Sequence, residues 1–128
     1  MTALGEIYRC EICGNIVEVL HTGKGQLVCC GEPMVSLPEL TADTGYEKHV
    51  PAVTVDGDSV HVRVGDTAHP MLDKHYIEWI SISTPDGLRC RRFLRPGEAP
   101  EATFGCVQGG AVTVRAYCNI HGLWIKTG

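Results

Sequence analysis

The chain has 128 residues, 44% of them hydrophobic and 20% charged, a balance typical of globular proteins and not of disordered or fibrous ones. A net charge of −4 gives no broad attraction to nucleic acid, and no apolar run reaches the roughly eighteen residues a membrane span needs. The opening Met1-Thr-Ala-Leu-Gly-Glu lacks the basic and apolar stretches of a secretion signal, so the expected compartment is the cytoplasm, where seven cysteines point to metal ligation rather than disulfides.

In chain order, residues 1–36 come first and hold four of the seven cysteines. The stretch CEIC supplies Cys10 and Cys13, and LVCCGE supplies the adjacent Cys29 and Cys30. Four thiolates can surround one iron or zinc ion tetrahedrally, and a two-residue gap lets two sulfurs of one turn approach a common ion. Gly14 and Gly31 each follow a cysteine, where they are expected to relieve backbone crowding. The competing reading is a set of buried free cysteines, but a segment this short builds no sufficient core without a staple. Spacing alone does not separate iron from zinc, although a zinc ribbon normally repeats the Cys-x-x-Cys. Residues 37–45, LPELTADTG, form a polar connection punctuated by Pro38 and Gly45.

Residues 46–128 read as all-β. SVHVRV alternates, with Val60, Val62 and Val64 on one face and His61 and Arg63 on the other. YIEWISIS is a longer apolar run, as expected of a central strand, and GLRCRRFL follows the hairpin turn Thr84-Pro-Asp-Gly. AVTVRAYC alternates again, placing Val112, Val114, Ala116 and Cys118 on one face and leaving Asn119 to Gly122 as a loop. Short strands joined by Gly and Pro turns predict a β-sandwich. No repeat and no amphipathic helix is visible.

This part also carries five of the six histidines. His49, His69, His75 and His121, with Cys118, lie in turns or at strand ends, where a metal ligand is easily presented. Four imidazoles and one thiolate are one too many for a closed structural zinc site, and suit a six-coordinate transition metal such as iron with one position open. Each histidine taken singly could also be an ordinary core or surface residue. His61, mid-strand, and His21, in the loop LHTGKGQ, are read as solvent-facing.

The motifs YRCEICGNIVEVL, LVCCGEPM, EKHVP, HPMLDKHYIEWI and YCNIHGLW, in this order from about Ile7 to Trp124, closely resemble the desulfoferrodoxin family of two-iron superoxide reductases. The resemblance implies a small desulforedoxin-like domain over residues 1–36, a linker over 37–45 and an immunoglobulin-like sandwich over 46–128. It implies two iron ions per chain. One would be held by Cys10, Cys13, Cys29 and Cys30, the other by His49, His69, His75, His121 and an axial Cys118. It further implies reduction of superoxide to hydrogen peroxide, a rubredoxin-like electron donor and a homodimer. Ferrous iron with one thiolate and four neutral imidazoles carries a local charge of about +1, which suits a small anion. Glu47 and Lys48, just before His49, could be a solvated charged pair. By resemblance the glutamate matches the carboxylate that closes the sixth position of ferric iron, and the lysine matches the cation that guides superoxide. Lys74 is a second candidate for that guidance. Arg89, Arg91, Arg92 and Arg95 are most simply a charged edge strand that resists aggregation, with docking of an acidic donor as the alternative. Cys90 and Cys106 lie outside the motifs and are read as packed strand residues.

Three other functions fit parts of the pattern. A pure electron carrier needs no open position. A blue-copper protein would carry an axial methionine soon after the last histidine, and GLWIKTG has none. A zinc-stabilised binding module would be colourless.

Overall fold

A computed structural model describes residues 1–41, 49–65, 69–105, 107 and 111–127, and these divide into two compact units, Met1–Pro38 and Glu39–Gly128. All regular structure among them is β, and no helix is long and apolar enough to cross a membrane.

In the first unit, β1 (Ile7–Arg9) pairs antiparallel with β2 (Ile16–Glu18) and on its other side with β5 (Val35–Ser36). β3 (Val28–Cys29) and β4 (Glu32–Pro33) form a separate hairpin. Ile7, Cys10 and Val19 are buried, whereas Leu4, Ile12, Leu20 and Val28 are all more than half exposed. The hydrophobic content is therefore too dispersed to close a core, as the length of the segment predicts.

The second unit is a sandwich. β6 (Glu39–Leu40), β9 (Ile77–Ser83), β10 (Arg89–Phe93), β12 (Thr113–Cys118) and β13 (Gly122–Thr127) form one sheet in the order β10-β9-β12-β13-β6. β7 (Pro51–Asp56), β8 (Ser59–Val64) and β11 (Glu101–Phe104) form the other, with β8 in the middle. The alternating valines of β8 pack with Ala102 and Phe104 of β11, Ile80 and Ile82 of β9, and Val114, Ala116 and Cys118 of β12 in one cluster. This is the period-two pattern of the sequence turned into a core.

Several elements differ from the sequence expectation. Glu39–Leu40, in the expected linker, is a strand that runs parallel to β13. A strand of two residues, one charged and one apolar, has no alternation to show. GLWIKT was not read as a strand, yet it pairs along its length with β12, so the loop after Cys118 shrinks to Asn119–His121. Arg115 and Tyr117, which alternate with the apolar set of β12 on its other face, are buried too. Arg115 meets Glu39 Oε2 at 3.4 Å, and Tyr117 stacks on Trp79 at 6.0 Å, with the Arg91 guanidinium 4.4 Å from the Trp79 ring centroid. The basic strand β10 does lie at a sheet edge, with Phe93 72% exposed on it. Cys90 packs against the core from that strand, and Cys106 lies outside the described residues.

Ile80 is fully buried in the cluster, so Ile80→Ala should cost about 2–5 kcal/mol through lost transfer energy and a cavity. Phe93→Ala at the exposed edge should change stability by under about 0.5 kcal/mol. Urea unfolding of the two variants checks the contrast.

Candidate metal centres

The first set sits on two turns. After β1, the backbone folds so that the Gly14 N–H donates to the Cys10 carbonyl at 2.9 Å and the Cys13 N–H points at Cys10 Sγ at 3.4 Å. Gly14 has φ +84°, and a Cβ there would meet nothing within 4 Å. Its glycine is needed for the left-handed backbone, not for space, which corrects the crowding argument. Opposite, Cys30 and Gly31 form the two-residue loop between β3 and β4, with φ of 53° and 76°. Positive φ at both positions is the signature of the type I′ hairpin, and Cys30 is the one non-glycine among the described residues that adopts it.

These turns bring Cys10, Cys13, Cys29 and Cys30 together. Cys13 Sγ lies 3.6 Å from Cys29 Sγ, and Cys29 Sγ lies 4.0 Å from Cys30 Sγ. Disulfide sulfurs stand about 2.05 Å apart. A tetrahedron with metal–sulfur bonds of about 2.3 Å has edges of about 3.8 Å, so the spacing fits an ion at the centre. The Asn15 amide reaches Cys29 Sγ at 3.9 Å. The N–H groups of Cys13 and Ile12 pull the Cys10 thiol down to about 6. Cys30 is pushed up to about 12 by its hydrogen bonds with Cys13, Cys10 and Cys29. Sharing of protons with Cys13 and Cys10 also raises Cys29. Sulfurs this close cannot all ionise without a cation among them.

The second set gathers at one end of the sandwich. His49 lies just before β7, His69 follows β8, His75 precedes β9, Cys118 ends β12, and His121 closes the turn into β13. In antiparallel sheets such starts and ends fall together. The five donor atoms lie within 4.8 Å of one another. The rings form a closed circuit of edge-on neighbours: His49 to His69 at 4.7 Å, His69 to His75 at 4.8 Å, His75 to His121 at 4.9 Å, and His121 to His49 at 4.6 Å between centroids. His49 Nε2 is 3.0 Å from His121 Nδ1, the separation of neighbouring ligands on metal–nitrogen bonds of about 2.1 Å. Cys118 Sγ is 3.7 Å from His121 Nδ1 and accepts the His121 backbone N–H at 3.4 Å.

His69 shows what the centre is for. Its Nδ1–H donates to the Pro70 carbonyl at 2.7 Å, which fixes the tautomer and leaves Nε2 bare. That Nε2 is buried with no hydrogen-bond partner. A buried lone pair left in this way is costly unless a cation takes it. Burial, with the neighbouring histidines, lowers His69 to about 4, although the Pro70 carbonyl works against it. Burial also raises the Cys118 thiol, against the pull of the His121 and Ile120 N–H groups.

Trp124 stacks on His49, with centroids 4.7 Å apart and planes 18° apart, and fixes that ring from behind. The sequence reading missed this role, since only the β12–β13 hairpin brings the two together. It also missed Asn119. Glu47, Lys48 and residues 66–68 lie outside the described residues. Lys74 is exposed beside His75, while His21 and His61 belong to neither set. His61 Nδ1 instead meets Thr103 Oγ1 at 2.8 Å across β8 and β11.

An all-β chain with a four-sulfur set in a small unit and a four-imidazole, one-thiol set on a sandwich is a two-centre metalloprotein. Comparison with known proteins makes this specific. The family model for the desulfoferrodoxin N-terminal domain matches residues 2–37, and the desulfoferrodoxin model matches residues 41–127. A desulfoferrodoxin homolog of Archaeoglobus fulgidus is 53% identical over 124 residues, covering 97% of this chain and 98% of its own. The desulfoferrodoxin of Nitratidesulfovibrio vulgaris is 54% identical over 119 residues, covering 93% of each. The crystal structure of the superoxide reductase from Treponema pallidum aligns with a TM-score of 0.77 at 30% identity, over 94% of this chain and 96% of that one. The chain belongs to the desulfoferrodoxin family. Its two donor sets fit two iron centres.

Two outcomes follow. In the metal-free protein, an unfolded His69 protonates near 6.5 while the folded one stays neutral to about 4. The unfolded state therefore binds the extra proton between these values, so stability should rise with pH from about 4 to 6.5. His69→Gln should flatten part of that slope in urea unfolding. Separately, Cys13→Ser should remove one metal ion per chain and loosen the first unit, because metal binding there contributes folding energy. Metal analysis and hydrogen exchange should show the second set unchanged.

Proposed function

We propose that the protein is a superoxide reductase, converting superoxide, one electron and two protons to hydrogen peroxide at the histidine–cysteine set. Electrons would come from a rubredoxin-like donor to a homodimer in the cytoplasm. The observation that carries the reading is the donor set itself: four imidazoles and one thiol converge, one fewer than octahedral iron accepts. Similarity to the Treponema pallidum superoxide reductase over nearly the whole chain supports it.

Iron held by His49, His69, His75, His121 and Cys118 would supply the electron, with the thiolate donating density toward it. The chain's own residues do the rest. His69, held neutral, and Cys118, buried, keep the donors fixed and dry from the core side. The exposed edge at His121 is the side on which a small anion can arrive. Lys48, next to His49 in sequence, supplies a local positive charge where the net −4 would otherwise repel superoxide. Glu47, the next residue back in sequence, offers a carboxylate that would close the open position of the oxidised iron. Cys10, Cys13, Cys29 and Cys30 hold the other iron.

Metal analysis with a visible spectrum of the oxidised protein tests the reading. Two irons per chain with two distinct spectra are expected, one for each set. One zinc and no colour would end it. Lys48→Ile should slow capture of superoxide by the reduced protein in pulse radiolysis, with iron content unchanged. The wild-type rate should fall as salt rises, and the variant should lose part of that dependence. An unchanged rate and salt slope would leave Lys48 as a solvated charge.

A further inference from the structure

The β9–β12 ladder ends just where the ligands begin. Its register shifts between Tyr117 and Cys118, so that Cys118 pairs with Ile77. Beyond that point, two ligand-bearing segments face each other without a ladder. One is the tight loop of Leu72 to His75, closed by Leu72 N–H to the His75 carbonyl at 2.9 Å and His75 N–H to the Leu72 carbonyl at 3.1 Å. The other is the Cys118–His121 turn.

Asn119 joins them. Its backbone N–H donates to the Tyr76 carbonyl at 3.2 Å. Its side-chain Oδ1 accepts the Tyr76 N–H at 3.0 Å, and its Nδ2 donates to the Lys74 carbonyl at 3.0 Å. The partners fix the orientation of the amide, because an N–H needs an acceptor and a carbonyl needs a donor. One side chain thus binds the backbone on both sides of His75, while its own backbone lies between Cys118 and His121.

We infer that Asn119 is a positioning residue: it locks the His75 segment to the Cys118–His121 turn, and so sets the geometry of the metal centre without touching the metal. This rests on the reading of the histidine–cysteine set as the iron site. An amide is the group required. Aspartate keeps the bond from the Tyr76 N–H but sets a second acceptor against the Lys74 carbonyl. Alanine loses both bonds.

The test compares Asn119→Ala and Asn119→Asp with the wild type, each loaded with iron, and with cobalt(II) as a separate probe. Release of the metal to a chelator should be roughly 10-fold faster in Asn119→Ala, the scale expected when a group behind a ligand is lost, and intermediate in Asn119→Asp. The thiolate charge-transfer band and the midpoint potential should shift in the same order, with metal content at full loading unchanged. Release rates, band and potential equal to wild type in both variants, with only a lower Tm, would overturn the inference. If the alanine variant does not fold, Asn119→Asp decides alone: faster release with a shifted band supports the inference, and wild-type values overturn it. A wild type that binds cobalt(II) and iron but does not reduce superoxide would sink the functional reading, while the release rates would still decide the role of Asn119.

Discussion

Everything at the second centre depends on the register of β12 against β9. Side chains alternate across a strand, so a one-residue slip would carry Cys118 from the core face to the opposite one. The slip is prevented by packing: Val114, Ala116, Ile80 and Ile82 must all enter the same cluster. The shift at Tyr117 and Cys118 passes over Glu78, whose carbonyl instead accepts the Leu94 N–H at 2.9 Å. An extra residue at this point bends a strand locally. Here it falls at the level of the ligands, three residues after His75 and beside Cys118, itself three residues before His121.

The two units solve the problem of gathering donors by different means. The sandwich builds its site from the outside in. A closed core fixes the strand ends, and the ends bring four rings and a thiol together. Its donors suit a cation because burial keeps His69 neutral, whereas the Cys118 thiol, raised by burial, gives up its proton only to an ion that replaces it. The small unit has little apolar material to spend on order. Its sulfurs are placed by two turns, and their mutual repulsion is relieved only by the ion they surround. Metal is thus a guest in one unit and a structural member of the other.

Where the chain could be read in advance follows from these differences. β8, β9, β10 and β12 announced themselves by alternation or by long β-branched runs, and the Thr84 turn by its Pro-Asp-Gly. All nine donors could be named because their residue types are few and each falls at a strand end or tight turn. β6 could not be read, since two residues, Glu39 and Leu40, carry no period. β13 was hidden because it starts at the ligand turn itself. The roles of Asn119 and Trp124 depend on partners that only the folded hairpin supplies. Gly14 and Gly31 were recognised for the wrong physical reason, because a sequence shows that a glycine is present but not its φ.

The left-handed conformation of Cys30 has a cellular consequence. A residue with a side chain stays in that region only while its surroundings hold it there, and at Cys30 the two-residue turn between β3 and β4 does so. A sulfur bound to an ion would add to that hold, and loss of the ion would remove that contribution. Cys13 and Cys30 are already exposed, and the N–H groups of Cys13 and Ile12 hold the Cys10 thiol well below the usual thiol range. Without iron, four thiols within 4.8 Å of one another, two of them exposed, would meet the conditions under which adventitious disulfides form. Iron supply then governs the redox vulnerability of the protein as well as its chemistry.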